Sequence, residues 1–419
     1  MLIEYSVENF RSVAEKTTLS MLTSKERKKA YNLIKVKGIP GITKLLKSCI
    51  IYGANASGKT NQIRALDLIK FLVLSSKNLN RGDKLPYFPF VLIAEYEAKP
   101  TLFEINFISG RTEYRYSFSY NANEIISEEL SYIKRKDQKF IYKRNRDTLE
   151  AFVDEDELMG LFKHTGENVL FLSKANNEYK PFGEVFEWFN INLNYFGRIS
   201  EIEDTYTIEY MNKSVENKEK VLTILKYADF DISDVSGNVI KMDKSEIPDN
   251  IVQLIEKQTG KPLSEGKIVR TELKSVHKRD DGTNIIKEFE EFESAGTNVF
   301  FNMLGIILDA LENHQRILVI DEFDTRLHPD LIMYLLKIFH DENNNIANSQ
   351  LIVTTHNTRI LASDFFRREQ IWFTEKNKKN KNTNLYSLFD YEDRVDKSIE
   401  KGYFTGRYGG LPDIFDGRI

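Results

Sequence analysis

The first residues of the chain alternate between apolar and polar side chains. Leu2–Phe10 follows a period of two, which predicts a β-strand with one buried face. Ser48–Tyr52 is a nearly continuous apolar run, which predicts a strand buried on both faces. Apolar residues then recur at helical spacing over Asn61–Leu74. This order predicts a unit of strand, glycine-rich turn and helix.

The middle of the chain changes character twice. Alternating segments between residues 86 and about 142 predict β-structure, and residues 154–229 follow a mainly helical pattern. Glu246–Asp281 is polar and dense in charge. A strand that returns to the core is then predicted over the apolar residues Ile285, Ile286, Phe289 and Phe292.

The C-terminal part of the chain again predicts alternating helices and strands. We expect an apolar helix from Gly296 to about Asn313, buried strands at Arg316–Ile320 and Gln350–Thr355, and a helix around Asp330–His340. The pattern thus divides the chain into four segments, which are 1–75, 76–150, 151–284 and 285–419.

Composition and charge exclude several classes of protein. The 419 residues carry 59 Lys+Arg against 63 Asp+Glu, a net charge of −4, so any nucleic-acid binding would need a local basic patch. Cys49 is the only cysteine, which excludes disulfides and cysteine-based zinc sites. Apolar runs are too short to span a bilayer, and Glu4 and Glu8 fit no signal peptide. We expect a cytoplasmic protein without a membrane partner.

Gly53–Thr60 matches the pattern G-x-x-x-x-G-K-[ST] in full, between the predicted buried strand and the predicted helix. The glycines let backbone N–H groups surround phosphate oxygens, Lys59 neutralises them and Thr60 binds Mg²⁺. The alternative is a chance glycine-rich turn. We therefore predict an ATP site formed by Gly53, Asn55, Ala56, Ser57, Gly58, Lys59 and Thr60.

Two acids follow the buried strand Ile317–Ile320. Asp321 at the end of that strand would hold Mg²⁺ through water, and Glu322 would polarise the water that attacks the γ-phosphate. A solvated turn is the alternative. The long separation of Lys59 from Asp321 requires a large insertion in any compact nucleotide-binding core.

Two later motifs bear on the class of ATPase. Ser294 and Gly296 precede the apolar helix and predict a second anion cradle, which would cap the nucleotide of another subunit. His356 follows the next buried strand, where it could hydrogen-bond the γ-phosphate. The alternatives are a simple helix cap and a structural histidine.

Taken in order, these motifs resemble those of ABC/SMC/RecF-type ATPases. More narrowly, the chain resembles stand-alone ATPases of bacterial abortive-infection and antiphage systems, of the AbiL and RloA type and related to AriA of PARIS and PtuA of Septu. The resemblance rests on Asn9–Ser12, Gly53–Thr60, Glu293–Thr297, Ile317–Asp324, Arg326–Pro329, Thr354–Asn357, Ile371–Phe373 and Lys401–Pro412.

The resemblance implies an α/β fold, an ABC-type (SMC/RecF-like) P-loop ATPase head with a β-subdomain and an inserted, mainly helical arm. Segments 1–75 and 285–419 would be the halves of the head, 76–150 the β-rich subdomain and 151–284 the insertion. The sequence departs from the family pattern because no glutamine can be assigned to the Q-loop. It also lacks a Cys-x-x-Cys hook and long heptad runs, so a long-armed DNA tether is not expected.

The resemblance also implies residue roles. Arg11 would contact nucleotide, Asp321 would support the metal and Glu322 would be the catalytic base. Ser294 and Gly296 would act across a homodimer or a higher even-numbered oligomer, Asp324 would lie in the loop that contacts the partner subunit, and His356 would be the switch histidine.

The implied function is an ATP-hydrolysing sensor or scaffold of an antiphage system. We expect it to control a separate effector, a TOPRIM- or HNH-type nuclease, because the ATPase motifs extend close to Ile419. A nucleic acid or a phage protein would be the trigger. The alternative is a RecF/SMC-like repair ATPase that clamps DNA. The basic segment Lys134–Arg146 would suit nucleic acid or an effector, or be a solvated hairpin face.

Overall fold

The computed structural model describes residues 1–243, 267–391 and 399–410. Leu411 and Pro412 of the motif-bearing tail, and residues 246–266 of the charge-dense segment, lie outside this part. The chain divides into two compact units. The first contains Met1–Arg198, Ala310–Asp324 and Leu336–Ile419, and the second contains Ile199–Asp309 and Thr325–Leu335.

The strands, in chain order, are β1 (Leu2–Glu8), β2 (Thr17–Ser20), β3 (Leu33–Lys35), β4 (Lys44–Leu46), β5 (Ser48–Gly53), β6 (Thr101–Ser109), β7 (Thr112–Tyr120), β8 (Ile125–Lys134), β9 (Asp137–Asn145), β10 (Thr148–Ala151), β11 (Leu193–Arg198), β12 (Asp234–Asp243), β13 (Lys267–Lys278), β14 (Asn284–Glu288), β15 (Ile317–Asp321), β16 (Gln350–Thr354), β17 (Ile371–Lys376) and β18 (Thr383–Ser387). The α-helices are α1 (Lys59–Ser75), α2 (Ala94–Glu97), α3 (Glu155–Phe162), α4 (Phe171–Ala175), α5 (Lys180–Glu187), α6 (Thr205–Asn212), α7 (Val215–Tyr227), α8 (Phe289–Phe292), α9 (Ala295–Glu312), α10 (Pro329–His340), α11 (Arg359–Ala362) and α12 (Ile399–Phe404).

A mainly parallel sheet in the first unit carries the motif-bearing loops. Within the described residues its order is β11-β15-β16-β5-β17-β18, and only the β17–β18 pair is antiparallel. Every residue of β5, β15 and β16 is buried, as expected for apolar strands covered on both faces. The three buried strands predicted from apolar runs are confirmed. Because β15, β16 and β5 are adjacent and parallel, the loops that follow them lie at one edge.

The second sheet of the first unit is antiparallel. Seven strands of the described chain form it in the order β10-β9-β8-β7-β6-β1-β2. The N-terminal strand therefore pairs with the β-rich middle segment, with Tyr5 opposite Ile105. The alternation predicted β1 and this segment correctly, since side chains of one face are buried in the aromatic core, as in the stacked pair Phe107 and Trp188.

The mainly helical prediction for residues 154–229 is confirmed except at β11. The sequence Leu-Asn-Tyr-Phe-Gly-Arg of β11 has no clean alternation, and the strand forms through its parallel pairing with β15. The strand predicted over residues 285–292 is correct at Ile285 and Ile286. It is wrong at Phe289 and Phe292, which form the short helix α8, where Phe289 is buried and Phe292 is exposed.

The second unit combines helices with an antiparallel sheet of order β12-β13-β14 in its described part. The sequence analysis does not predict β12, which lies between the helical and the charge-dense segments, or β13, whose residues are dense in charge. No helix among the described residues has the length and apolar character needed to cross a membrane.

Candidate functional site

The glycines of the Gly53–Thr60 loop are required by close packing. A Cβ atom on Gly53 would lie 2.6 Å from the carbonyl oxygen of Thr374, and one on Gly58 would lie 2.6 Å from Cγ2 of Thr383. Gly58 also has a φ of 105°, which side-chain-bearing residues rarely adopt. Strands β17 and β18 thus hold the loop close against the sheet edge, directly before α1 begins at Lys59.

The ammonium group of Lys59 is enclosed by this loop. Its Nζ donates hydrogen bonds to the carbonyl oxygens of Gly53, at 2.8 Å, and Ala54, at 3.1 Å, and the residue is 7% exposed. Burial lowers the pKa of Lys59 to about 8, although Asp321, Asp324 and Glu322 oppose the shift. A cation is therefore held within the loop by two of its carbonyl oxygens.

A chain of hydrogen bonds fixes the carboxylate of Asp321. Thr60 Oγ1 donates to one carboxylate oxygen at 2.8 Å, and Thr354 Oγ1 donates to the other at 2.5 Å. The backbone N–H of Glu322 donates to Thr354 Oγ1 at 2.8 Å. Thr354 was not predicted as a site residue, although it directly precedes the Thr-His pair at the end of β16. The start of α1 and the ends of β15 and β16 therefore bring three linked polar side chains together.

Glu322 and His356 line a cleft of about 260 Å³ together with residues 55–61 of the loop and α1. Glu322 has a φ of 50°, so the chain turns directly after β15. The backbone N–H of His356 donates to Asp324 Oδ2 at 3.0 Å. Desolvation and then Lys59 lower the pKa of His356, against the opposite effects of Asp324, Glu322 and Asp321. The imidazole is therefore neutral at pH 7.

A protein family matches most of the chain. A family model described as "AAA domain, putative AbiEii toxin, Type IV TA system" matches residues 49–362, well over half of the chain. The chain belongs to this AAA-domain family. The matched region extends from the strand before the phosphate loop to beyond His356 and indicates an ATPase linked to abortive infection. No curated protein matches the chain.

The donor set of this AAA-domain site fits Mg²⁺ bound together with a nucleotide. Among the residues that the structure describes there is no cluster of three His, Cys, Asp or Glu side chains. Mg²⁺ at a nucleotide site needs only one or two protein ligands beside phosphates and water. Thr60 and Asp321, whose oxygens lie 2.8 Å apart, supply that number.

Arg11 does not line the cleft. Its guanidinium lies over the ring of Phe88, with 4.6 Å from Cζ to the ring centroid, and its buried Nε has no hydrogen-bond partner among the described residues. The neighbouring Ser12 hydroxyl accepts a hydrogen bond from Asn61 Nδ2 at 2.8 Å. A direct contact of Arg11 with nucleotide stays a prediction.

Ser294 and Gly296 belong to the second unit. Ser294 Oγ accepts a hydrogen bond from the backbone N–H of Thr297 at 3.1 Å, so it caps α9. A Cβ on Gly296 would lie 2.8 Å from the carbonyl oxygen of Arg326. Packing within the unit thus explains the glycine. The roles of Ser294, Gly296 and Asp324 across a subunit interface stay predictions.

The basic segment Lys134–Arg146 contains two kinds of cation. Arg144 is buried, donates to the carbonyl oxygen of Val169 at 2.6 Å and lies 3.6 Å from Glu128, so it is structural. The turn between β8 and β9 and the adjoining strand ends, residues 134–139, are exposed, and the cations among them are Lys134, Arg135, Lys136 and Lys139.

Proposed function

We propose that this protein binds ATP with Mg²⁺ and hydrolyses it to ADP and phosphate in the manner of an ABC/SMC-like ATPase. The observation that carries the proposal is the convergence of Lys59, Thr60, Asp321, Glu322 and His356 at one sheet edge around one cleft. A chance glycine-rich turn does not explain why the enclosed ammonium of Lys59 and the fixed carboxylate of Asp321 lie at the same sheet edge.

Each of these side chains has a role that its surroundings support. Lys59 would exchange its two loop carbonyls for phosphate oxygens, and Thr60 and Asp321 would hold Mg²⁺. The ion, when bound, supplies positive charge that neutralises the phosphate oxygens. Glu322 would accept a proton from the attacking water, whose oxygen bonds to the γ-phosphorus while the bond to the β–γ bridging oxygen breaks. Neutral His356 would donate a hydrogen bond to the γ-phosphate.

The composite arrangement belongs to the same proposal. The first turn of α9 contains no acidic residue, so its N-terminal dipole is not offset by a nearby carboxylate within the helix. In a homodimer or a larger even-numbered oligomer this end, with Ser294 and Gly296, would meet the γ-phosphate held by another subunit, and Asp324 would lie at the joint. ATP would then join the subunits and hydrolysis would release them.

We further propose that this cycle controls a separate nuclease effector of TOPRIM or HNH type in bacterial antiphage defence, with a nucleic acid or phage protein as trigger. The family match supports the link to abortive infection. The exposed cations Lys134, Arg135, Lys136 and Lys139 favour a second candidate, a DNA-clamping repair ATPase.

The test of hydrolysis is Glu322→Gln. We expect ATP binding by calorimetry to be retained and phosphate release to be slowed by ~10²-fold or more, the scale of a lost general base. Glu150→Gln, on the exposed part of β10, is the matched control and should leave both unchanged. Normal phosphate release by Glu322→Gln would contradict the role of Glu322.

The test of the defence role uses cells that carry the gene and its neighbouring genes. Phage plating should fall in these cells and recover with Lys59→Ala. Equal plating with the wild-type and Lys59→Ala genes, together with loss of DNA-damage resistance in Lys59→Ala cells, would favour the repair ATPase.

A further inference from the structure

The strand β11, which the sequence pattern did not predict, places Arg198 beside Asp321, the last residue of β15, and Glu322, which follows it. Tyr195 is opposite Val319, and the next paired residues are Arg198 and Asp321. β11 therefore contains one more residue than β15 over this interval, which is a β-bulge. Gly197, with a φ of 63°, lies within the bulge. Without the extra residue Gly197, and not Arg198, would be opposite Asp321.

The bulge allows Arg198 to pair with Glu322. Arg198 Nε lies 3.6 Å from Glu322 Oε1, and the two side chains are 54% and 36% exposed. This distance makes an ion pair and no hydrogen bond. A pair this exposed contributes ~1 kcal/mol or less to stability. Stability of the fold therefore does not account for a bulge that brings a cation to the proposed general base.

The side chains around the cleft supply little positive charge of their own. Among the described residues that line it, Lys59 is the one cation, while Glu322 is at its edge and Asp321 and Asp324 influence the same groups. His356 is neutral. A triphosphate adds further negative charge, and its γ-phosphate is the part nearest the proposed base. Among described side chains, Arg198 is the cation paired with that base.

We propose that Arg198 leaves its ion pair with Glu322 when ATP binds and then binds the γ-phosphate. A guanidinium binds phosphate through two parallel N–H···O bonds, which are stronger than a half-exposed ion pair. The same movement frees Glu322 to accept a proton. ADP has no γ-phosphate, so Arg198 stays with Glu322 and the site distinguishes ATP from ADP. This inference rests on the proposed function of the cleft.

The experiment measures binding of two nucleotides, and hydrolysis is not needed. Calorimetry with Mg²⁺ and either ADP or the β,γ-imido analogue of ATP would be done on the wild type, Arg198→Ala and Arg198→Lys. We expect Arg198→Ala to weaken the ATP analogue by about tenfold or more, and ADP by less than about twofold. Arg198→Lys, which keeps the charge but not the paired donors, should recover part of the loss.

Arg146→Ala is the matched control. Arg146 is 56% exposed and its Nε lies 3.3 Å from Glu124, so the substitution removes a similar ion pair in the same unit. It should bind both nucleotides as the wild type does. Equal losses for the two nucleotides in Arg198→Ala, or no loss, would overturn the role of Arg198. Failure of the wild type to bind either nucleotide would instead overturn the proposed function.

Discussion

The two helices that begin at glycine-containing motifs differ in how their N-termini are satisfied. α1 follows Gly58, and no side chain caps its first turn. α9 follows Ser294, whose hydroxyl accepts the N–H of Thr297. Uncapped N–H groups are available for an anion, whereas a capped end must first give up an internal hydrogen bond. The N–H groups at the start of α1 are thus free of a side-chain cap. At the start of α9 the Ser294 hydroxyl already serves as an ordinary helix cap.

Close packing requires the glycines in both regions. Gly53 and Gly58 are required because β17 and β18 lie against the loop, and Gly296 is required because the Arg326 carbonyl lies over it. A glycine at a helix start is therefore explained by packing in both regions. What distinguishes the phosphate loop is the enclosed cation Lys59 and the fixed acid Asp321 beside it.

The largest expected effect is a loss of ATP affinity that follows a change in the phosphate loop and not a change at Ser294. Lys59→Ala removes the ammonium that the loop encloses, and we expect ATP affinity measured by calorimetry to fall by roughly 10²-fold or more, the scale of a truncated buried charge partner. Ser294→Ala should leave ATP affinity unchanged. It should lower the free energy of unfolding by ~1 kcal/mol, the contribution of an N-cap. Unchanged ATP affinity in Lys59→Ala would contradict the idea that the phosphate loop, and not the Ser294 motif, determines nucleotide affinity.

The second prediction asks whether the Ser294 motif serves a partner subunit. Ser294→Arg should leave ATP affinity intact within each subunit and reduce hydrolysis by roughly 10-fold or more, because a bulky cation would block closure on the γ-phosphate of another subunit. Phosphate release and calorimetry on the same sample separate the two effects. Full hydrolysis by Ser294→Arg alone would refute the composite site.

A mixture of Ser294→Arg and Lys59→Ala proteins sharpens that test if subunits exchange. In a mixed dimer both changes fall on one composite site, so the other site contains an intact loop and an intact Ser294 motif. Partial hydrolysis should return on mixing. Two Lys59→Ala preparations mixed with each other are the control and should stay inactive.

The sequence was sufficient to place the glycine-rich loop and the two acids after buried strands, because each depends on a local pattern next to a continuous apolar strand. It did not predict β11, since that strand is formed by pairing with a distant segment and its own residues do not alternate. Arg198 was missed for the same reason, because a bulge of one residue determines which side chain is opposite Asp321. Thr354 was missed because its role depends on the adjacency of β15 and β16.

The smallest expected effect is a pH dependence that only the phosphate loop should show. The pKa of Lys59 is lowered to about 8 in the free protein, so the ammonium loses its proton as pH rises through 8. Bound phosphate favours the charged form, so binding above pH 8 must take up a proton, and ATP affinity should fall by up to about tenfold per pH unit. Below pH 7 Lys59 is already charged and contributes no dependence. His356, whose pKa is lowered, is neutral throughout this range.

Calorimetry at pH 7, 8 and 9 in buffers of different ionisation enthalpy would count the protons taken up with ATP. Lys59→Arg is the control, since a guanidinium stays charged at pH 9 and its residual binding should not depend on pH. Ser294→Ala should keep the wild-type dependence, because the capped end of α9 has no titrating group in its first turn. A flat affinity from pH 7 to 9 in the wild type would mean that the Lys59 ammonium is not the group that ATP requires.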